Sequence, residues 1–452
     1  MNFTELKTIV GEKIMIDKIF INALIVTMNP NKDVLENGAI AVHDGKIIAI
    51  DKTENVLASF SSDNIFDFSG KLIIPGLINT HTHIPMSYLR GYADDLPLET
   101  WLKKYIWPTE NHFNKPEYIY DASIHGIAEL IFNGITCFND MYFIEDKTAE
   151  AAKKLGIRAI LGEGIIDFDD EGKNTGKVLN KIEKLIENYQ DDKIKFSVSP
   201  HSIYTCTKNS LIKASEFSKK NNLLYHIHLS ETKKEVADSI KNFGKPPVEY
   251  LNDLNILSPN TIAAHCIHLS DKEIEILAQK EVSVSLNTKS NFKLGSGVVP
   301  IKRMLQKNIR LTFGTDSVAS NNNLSIIEEM SFTCKIKKGL YHDPTILPAF
   351  NVLKMATIEA AKALHINDKV GSLEPGKCAD FISFDLDNFI NSPMYNPYSL
   401  IIYSINSSFI KDVIISGEFV LKNRKLSFYD ENEILEKAKF YQSKIMEFKK
   451  TL

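Results

Sequence analysis

The chain has 452 residues, of which 44% are hydrophobic and 24% are charged, values typical of a globular protein with a large core rather than of a disordered chain. Its 53 Lys and Arg against 57 Asp and Glu give a formal net charge of −4, which disfavours a protein that binds nucleic acid by neutralising phosphates. The length accommodates one large domain of roughly 250 residues and a smaller companion.

The first seventy residues alternate short β-branched runs with turn signals. Asn-Pro, Asn-Gly, Asp-Gly and Ser-Gly pairs separate the Val- and Ile-rich stretches, a pattern typical of antiparallel strands. We therefore predict β-structure over residues 1–70.

The N-terminal segment and the cysteines indicate where the protein works. Glu and Lys interrupt every apolar stretch near the N-terminus, so the uncharged core of a secretory signal is missing. The charge-free stretch between Lys18 and Lys32 falls short of the roughly 18 apolar residues that span a bilayer. Five scattered cysteines without a C-x-x-C pair favour a reducing compartment. We expect a cytoplasmic protein with no membrane partner.

From residue 71 the pattern changes to short apolar runs, each followed by a stretch with helical spacing, as βα units require. Eight such runs predict a (β/α)8 barrel of the TIM type over residues 71–367, with the runs at 72–83, 134–141, 158–165, 195–202, 223–231, 261–266, 282–288 and 310–317. β-type runs return over 368–432, so both chain ends should pair into one small β-sandwich domain. Residues 433–452 have helical spacing and predict a C-terminal helix.

Polar side chains end several of these runs, and in a parallel barrel the strand ends carry the functional groups. The first run ends in His81 and His83, which strand alternation places on one face. Taken alone, this pair is equally compatible with two core or surface histidines.

The other runs make a shared site the better interpretation. They end in His201, in His226 and His228 followed by Glu231, in His265, and in Asp316. Six of the twelve histidines therefore lie at predicted strand ends. Imidazoles with one carboxylate suit a borderline cation such as Zn²⁺, and an incomplete protein shell leaves room for water. We predict a catalytic metal site.

These segments also carry a family resemblance. PGLINTHTHIPMSYLRGYADDLPLETWL, HLSET, AAHCIHLS and GTDSVASNNNLSIIEEM resemble the amidohydrolase superfamily, and within it they are most similar to the 5-methylthioadenosine/S-adenosylhomocysteine deaminases. The resemblance covers nearly the whole chain, and it implies the same α/β barrel with a small β domain.

The resemblance implies that His81, His83, His228 and Asp316 ligate one divalent metal ion. The fourth run ends without a lysine, so the carbamylated lysine that bridges two metals in other amidohydrolases has no counterpart. Zn²⁺ is the expected ion, with Fe²⁺ or Mn²⁺ as alternatives.

The resemblance further implies a hydrolytic deaminase, an enzyme that acts on the C–N bond of a cyclic amidine. Metal-activated hydroxide would attack C6 of an adenosine-type nucleoside and release ammonia and the inosine analogue. Asp316 would take the water proton, Glu231 would protonate the ring nitrogen, and His265 would polarise the water or hold the oxyanion. The expected substrates are 5'-methylthioadenosine, S-adenosylhomocysteine, 5'-deoxyadenosine and adenosine.

Further substrate contacts follow from the same resemblance. Glu110 matches a carboxylate that binds the ribose hydroxyls, His201 matches a contact to the purine ring, and Glu231 and Asp316 also touch the substrate. Glu163 stands where the compared family member has an arginine that would hold the homocysteine carboxylate, and a carboxylate there would oppose that group.

Glu163 therefore predicts a preference for a neutral or amine-bearing 5' group, although Lys173 or Lys177 remains an alternative partner for an acid. Two other functions stay open: an amidohydrolase that deaminates a pterin, a guanine-type base or a triazine, and a metal-bearing barrel that serves in binding or assembly. A homo-oligomer is a further expectation, because barrels of this kind often form dimers or tetramers.

Overall fold

The protein is described by a computed structural model that covers residues 13–452. Residues 1–12, which belong to the β-structure predicted over 1–70, lie outside the described residues. Eight parallel strands pair in chain order to form the barrel: β8 (Leu77–Thr82), β9 (Ile135–Tyr142), β10 (Arg158–Ile165), β11 (Ile194–Pro200), β12 (Tyr225–Leu229), β13 (Thr261–His265), β14 (Ser283–Leu286) and β15 (Leu311–Phe313).

The barrel closes between its first and last strands. Thr82 forms a parallel bridge with Asp316, and the Asp316 amide donates to the His81 carbonyl at 3.0 Å. This closure brings the end of β8 directly against the residue that follows β15.

Helices surround the barrel because the connecting segments are amphipathic; Leu179, Ile182 and Leu185, for example, form one buried stripe. The helices between strands are α2 (Leu98–Thr100), α3 (Trp107–Phe113), α4 (Pro116–Phe132), α5 (Glu145–Leu155), α6 (Lys173–Tyr189), α7 (Lys208–Lys220), α8 (Lys233–Phe243), α9 (Pro247–Asp253), α10 (Asp271–Gln279), α11 (Thr288–Lys293) and α12 (Ile301–Gln306). After β15 come α13 (Val318–Asn321), α14 (Ile326–Tyr341), α15 (Ala349–Met355) and α16 (Ile358–Ala363). A 3₁₀ helix covers Ile84–Leu89, and a π-helical turn covers Trp101–Ile106.

The small β domain is one mixed sheet of nine strands drawn from both ends of the described chain. Its strands are β2 (Lys18–Val26), β3 (Val34–His43), β4 (Lys46–Lys52), β6 (Ile65–Asp67), β7 (Lys71–Pro75), β16 (Phe381–Asp385), β17 (Ile410–Ile415), β18 (Glu418–Lys422) and β19 (Lys425–Leu426). The two halves join where β7 runs antiparallel to β16, with Pro75 opposite Phe381. Phe20 and Phe381 from the two halves lie 5.0 Å apart between ring centroids. The predicted barrel with a small β domain from both chain ends is confirmed, whereas the exact domain boundaries stay a prediction.

The remaining elements lie outside these two layers. They are β1 (Ile14–Met15) paired with β5 (Phe60–Ser61), α1 (Thr53–Ser59), α17 (Pro397–Tyr403), a 3₁₀ turn (Ser407–Phe409) and the C-terminal helix α18 (Glu431–Lys449). Within residues 13–452, none of the helices combines the length and the apolar character needed to cross a membrane.

The first predicted run, 72–83, is divided in the structure between the two sheets. β7 belongs to the small β domain and β8 to the barrel, and Gly76 lies between them. A Cβ atom at this position would lie 2.0 Å from the Thr136 hydroxyl oxygen, so the crossing from one sheet to the other requires glycine.

Candidate active site

The ends of β8, β12 and β15 bring together the four side chains that the sequence predicts as metal ligands. His83 Nε2 lies 3.3 Å from Asp316 Oδ1, and His81 Nε2 lies 3.5 Å from the same oxygen. His228 Nε2 lies 3.2 Å from His83 Nε2. His81 and His83 therefore both face Asp316 Oδ1, and His228 faces His83, at the C-terminal end of the barrel.

The hydrogen bonds behind these imidazoles match what a cation requires. His83 Nδ1 donates to the Met141 carbonyl at 2.6 Å, and His228 Nδ1 donates to the His201 carbonyl at 2.8 Å. Since a carbonyl only accepts, Nδ1 holds a proton in each ring, and the neutral form of each ring then carries its lone pair on Nε2. These lone pairs face each other, and His81 Nε2 is buried without a hydrogen-bond partner in the described chain. A divalent metal ion resolves both conflicts, so the cluster fits this cofactor.

The pKa values of the two imidazoles beside Asp316 differ. Although burial works in the opposite direction, the Asp316 carboxylate raises the pKa of His83 to about 9, so a metal ion would displace a proton from this ring. Burial, partly offset by the Asp316 carboxylate, lowers the pKa of His81 to about 3, so this imidazole is neutral and able to ligate. Burial alone would raise the pKa of Asp316, but the imidazoles of His81 and His83 hold it well below its ordinary value. Asp316 is therefore an anion that can balance part of the charge of a metal ion.

The backbone at these strand ends adopts a conformation that L-residues rarely occupy. The φ angles are 71° at His265, 62° at Asp316 and 51° at Ser230, the residue before Glu231. Such left-handed residues cost of order 1–3 kcal/mol each and persist where surrounding structure holds them, often at functional sites. Three of the positive φ values in the described chain therefore lie at strand ends that carry the side-chain cluster.

Glu231 and His265 lie next to the histidine cluster. Glu231 Oε2 is 3.9 Å from His265 Nε2, and His265 presents a ring nitrogen close to those of His81 and His228. The Glu235 carboxylate accepts the backbone amides of Ser230 and Glu231 at 2.9 and 2.7 Å. This pair of bonds fixes the turn that directs Glu231 toward His265.

A cavity of about 620 Å³ opens above the cluster, within the range usual for small-molecule sites. Seven of the sequence-predicted site residues line it: His83, Glu110, His201, His228, Glu231, His265 and Asp316. His81 lies behind them and is fully buried. The remaining lining is mostly aromatic and aliphatic, and no Lys or Arg is among the described residues of the wall.

Glu110 and His201 lie in the walls of this cavity. Glu110 Oε1 accepts the Tyr142 hydroxyl at 2.6 Å. Burial raises the pKa of Glu110 to about 6, although the Tyr142 hydrogen bond works in the opposite direction. Burial lowers the pKa of His201 to about 4, so at neutral pH its ring is an uncharged hydrogen-bonding surface.

The geometry does not support the expected contact between Glu163 and the substrate. The Glu163 carboxylate accepts the backbone amides of Ile144 and Glu145 at 3.1 and 3.0 Å and pairs with Lys181 at 2.8 Å. Its neighbour Gly164 lines the cavity instead, because alternate residues of a strand face opposite sides. Glu163 thus caps the start of α5, and Lys173, the alternative acid partner, pairs with Glu171 at the surface.

Several side chains around the cluster were not identified from the sequence. Ser290 and Ser320 donate to Asp316 Oδ2 at 2.6 and 2.9 Å, and Asn291 Oδ1 lies 2.7 Å from His265 Nδ1. His226, at the end of the fifth predicted run, was identified from the sequence, and its Nε2 lies 2.8 Å from His81 Nδ1. For Ser290 and Asn291, the available signal was the polar segment NTKSNFKLGSG, which begins at the end of the seventh run.

The chain is similar in sequence and in fold to known amidohydrolases and deaminases. The model of the amidohydrolase family matches residues 72–420. A 5-methylthioadenosine/S-adenosylhomocysteine deaminase from Thermodesulfovibrio yellowstonii is 42% identical over 93% of this chain and 97% of its own. A 5'-deoxyadenosine deaminase from Methanothermobacter thermautotrophicus is 40% identical over 89% of this chain and 94% of its own. A zinc-bound crystal structure of an adenosine deaminase from Xanthomonas campestris superposes with a TM-score of 0.92 at 32% identity, covering 96% of this chain and all of that one.

Proposed function

The chain belongs to the amidohydrolase family, and on that premise we propose that it is a metal-dependent hydrolytic deaminase that converts adenosine-type nucleosides to inosine analogues and ammonia. The observation that carries this proposal is the convergence of three histidines and Asp316 beside Glu231 and His265 at the floor of one cavity. Deaminase relatives that align over nearly the whole chain support it.

The proposed ligands of a single metal ion are His81, His83, His228 and Asp316. The zinc-bound structural relative and the nitrogen-rich donor set favour Zn²⁺, with Fe²⁺ and Mn²⁺ as alternatives. When bound, the metal supplies Lewis-acid activation of the hydrolytic water.

The side chains divide the proton transfers between them. Asp316 receives the proton of the water, because its carboxylate is ionised and lies at the cluster. Glu231 donates a proton to the ring nitrogen and later assists the departure of ammonia. His265, whose Nε2 lies 3.9 Å from Glu231 Oε2, orients the water and stabilises the developing oxyanion.

The cavity walls orient the nucleoside. We assign Glu110 to the ribose hydroxyls, which can donate to its carboxylate, and His201 to the edge of the purine. The Tyr142 hydroxyl holds the Glu110 carboxylate in the wall, and the aromatic lining suits a planar base.

The 5' group should be uncharged or amine-bearing. The wall contains three carboxylates, Glu110, Glu231 and Asp316, and its described residues include no Lys or Arg. A homocysteine carboxylate would therefore lose water without gaining a cationic partner. The preference expected from the sequence is therefore kept with a different cause, because the carboxylate of Glu163 binds two backbone amides and Lys181 and does not line the cavity. The homo-oligomer and the cytoplasmic location stay predictions.

A substrate panel tests the proposal. The zinc-loaded protein should deaminate adenosine, 5'-deoxyadenosine and 5'-methylthioadenosine, seen as loss of absorbance at about 265 nm and release of ammonia. Their kcat/KM should exceed that of S-adenosylhomocysteine by about 10-fold or more, since an unpaired buried charge costs at least about 1–3 kcal/mol. Glu231→Gln should retain the metal and lose most of the turnover.

Two results would count against it. A preference for S-adenosylhomocysteine would overturn the assignment of the 5' group. Turnover of guanine, a pterin or a triazine, with none of any nucleoside, would overturn the substrate class.

A further inference from the structure

The segment that follows the seventh barrel strand contacts three proposed catalytic residues. β14 itself supplies none of the proposed ligands or acid and base groups. Residues Ser290–Ser296, which begin within α11 and end in the turn after it, do contact these groups. Ser290 donates to Asp316 Oδ2 at 2.6 Å, and Ser296 donates to Glu231 Oε1 at 3.4 Å. Asn291 lies between them and contacts His265.

The contact between Asn291 and His265 is the most direct of the three. Asn291 Oδ1 lies 2.7 Å from His265 Nδ1, and each residue is 1% exposed. With Nδ1 held on Asn291, Nε2 is directed toward Glu231, 3.9 Å away. Rotation of the ring by half a turn would remove Nε2 from Glu231, so the amide selects the orientation that the mechanism needs.

The segment is itself held firmly on the side away from the cavity. Glu329 accepts the Lys289 amide at 3.3 Å and the Asn321 side chain at 2.9 Å. Thr333 donates to Thr288 at 2.7 Å. These bonds tie α11 to α14, and through Glu329 to α13, so the segment is fixed relative to the strand ends.

The turn after α11 is equally constrained. Gly295 has a φ of 67°, which lets the chain reverse direction. The Ser296 amide then donates to the Asn291 carbonyl at 2.9 Å, and the His268 ring lies 2.7 Å from the Ser296 carbonyl. The reversal places Ser296 beside Glu231.

We infer that residues Ser290–Ser296 form a positioning element, which fixes the side chains of Glu231, His265 and Asp316 relative to one another. Within it, Asn291 sets the ring orientation of His265 through its Oδ1 atom. The inference rests on the proposed deaminase function and deepens it. Partners of this kind fix the rotamer and tautomer of an acid or base and are worth roughly 10- to 100-fold in activity at comparable sites.

The test removes only the amide. Asn291→Leu keeps a side chain of similar size and should lower kcat for adenosine by about 10- to 100-fold, while KM and the metal content per chain stay unchanged. Asn291→Asp retains an oxygen that can accept from Nδ1, so it should restore most of kcat. Asn291→Ser, too short to reach the ring, gives the same readout if the Leu variant does not fold.

Asn391→Leu is the matched control. Asn391 is equally buried, at 2% exposure, and its side chain bonds to the Asp385 carbonyl, in the small β domain. The same substitution there should leave kcat unchanged. Wild-type kcat in Asn291→Leu, a joint loss of metal and substrate affinity, or an Asp variant no better than the Leu variant would overturn the inference.

Crystal structures of the metal-loaded wild type and Asn291→Leu give a readout that needs no substrate. The His265 ring should face Glu231 in the wild type and turn away from it in the variant. An identical ring orientation in both would overturn the inference. A changed orientation in a protein that deaminates no nucleoside would support the positioning role and reject the proposed function.

Discussion

Glu110 shows how burial can tune one side chain for substrate binding. It lies in the cavity wall and accepts the Tyr142 hydroxyl at 2.6 Å. Burial raises its pKa to about 6, so the carboxylate is ionised above that pH and protonated below it. Only the ionised form can accept from two ribose hydroxyls while it keeps the bond from Tyr142.

We therefore expect the KM for adenosine to be constant above pH 7 and to rise by about 10-fold at pH 5, where about one tenth of the group is ionised. Steady-state kinetics across this range measure it. 2',3'-Dideoxyadenosine, which lacks both hydroxyls, is the control and should show no such rise. An equal rise for both nucleosides, or a rise that persists in Glu110→Gln, would contradict the assignment.

The strand-end residues could be predicted because a parallel barrel gathers its strand ends by topology alone. His81, His83, His228 and Asp316 needed only the correct strand count to come together. The orientation of Glu163 and the contacts of Asn291 depend on the path of a loop and on which face of a strand looks inward. These features follow from tertiary packing, which no local pattern encodes.

Among the larger elements, the C-terminal helix α18 supports the wall that carries Glu110. Phe448 stacks on His112 with ring centroids 4.3 Å apart, and it meets Phe113 edge to face. Lys449 donates to the Tyr92 carbonyl, and Tyr441 stacks on Tyr88. α18 therefore braces α3 and the 3₁₀ helix from outside, although it touches none of the proposed metal ligands.

We expect Phe448→Ala to raise the KM for nucleosides about 3- to 10-fold and to leave kcat nearly unchanged. Loss of the aromatic contacts, worth about 0.5–1.5 kcal/mol per pair, loosens the wall but not the metal cluster. Met446→Ala is the control, because Met446 is 57% exposed on the same helix. A fall in kcat without a change in KM would show that α18 acts on the chemistry instead.

The barrel strands were predictable where one apolar run of the sequence forms one strand, as the second to eighth runs do. The run 72–83 divides at Gly76 because Thr136 approaches the backbone there, a contact between distant residues. No pattern identified in the sequence predicted the π-helical turn Trp101–Ile106. Trp101, Leu102 and Ile106 line the cavity, and π-turns are frequent at functional sites.

At the scale of the whole molecule, a buried ion pair joins the barrel to the small β domain. Arg158 at the start of β10 donates to both Asp380 carboxylate oxygens, at 2.6 and 3.1 Å. Arg158 also donates to the Ser416 hydroxyl at 2.7 Å. The two side chains are 5% and 1% exposed, so neither charge has water to replace its partner.

Asp380→Asn should lower the free energy of unfolding by about 3–5 kcal/mol, because it leaves the Arg158 charge buried and uncompensated. Urea denaturation followed by circular dichroism measures the change. Lys272→Met is the control: its pair with Glu249 lies at the surface, where Lys272 is 70% exposed, and the midpoint should not move. An unchanged midpoint for Asp380→Asn would show that this ion pair does not contribute to the stability of the fold.

The antiparallel pairing of β7 with β16 has a consequence for synthesis of the chain. The two strands are separated by roughly 300 residues, so at about 5–20 residues per second β7 waits roughly 15–60 s for its neighbour to leave the ribosome. Throughout that interval one edge of the sheet has no partner and is open to pairing with other chains. The barrel can complete itself first, and the small β domain closes last. Translation speed and temporary protection of the β7 edge should therefore govern the yield of folded protein more strongly than its final stability does.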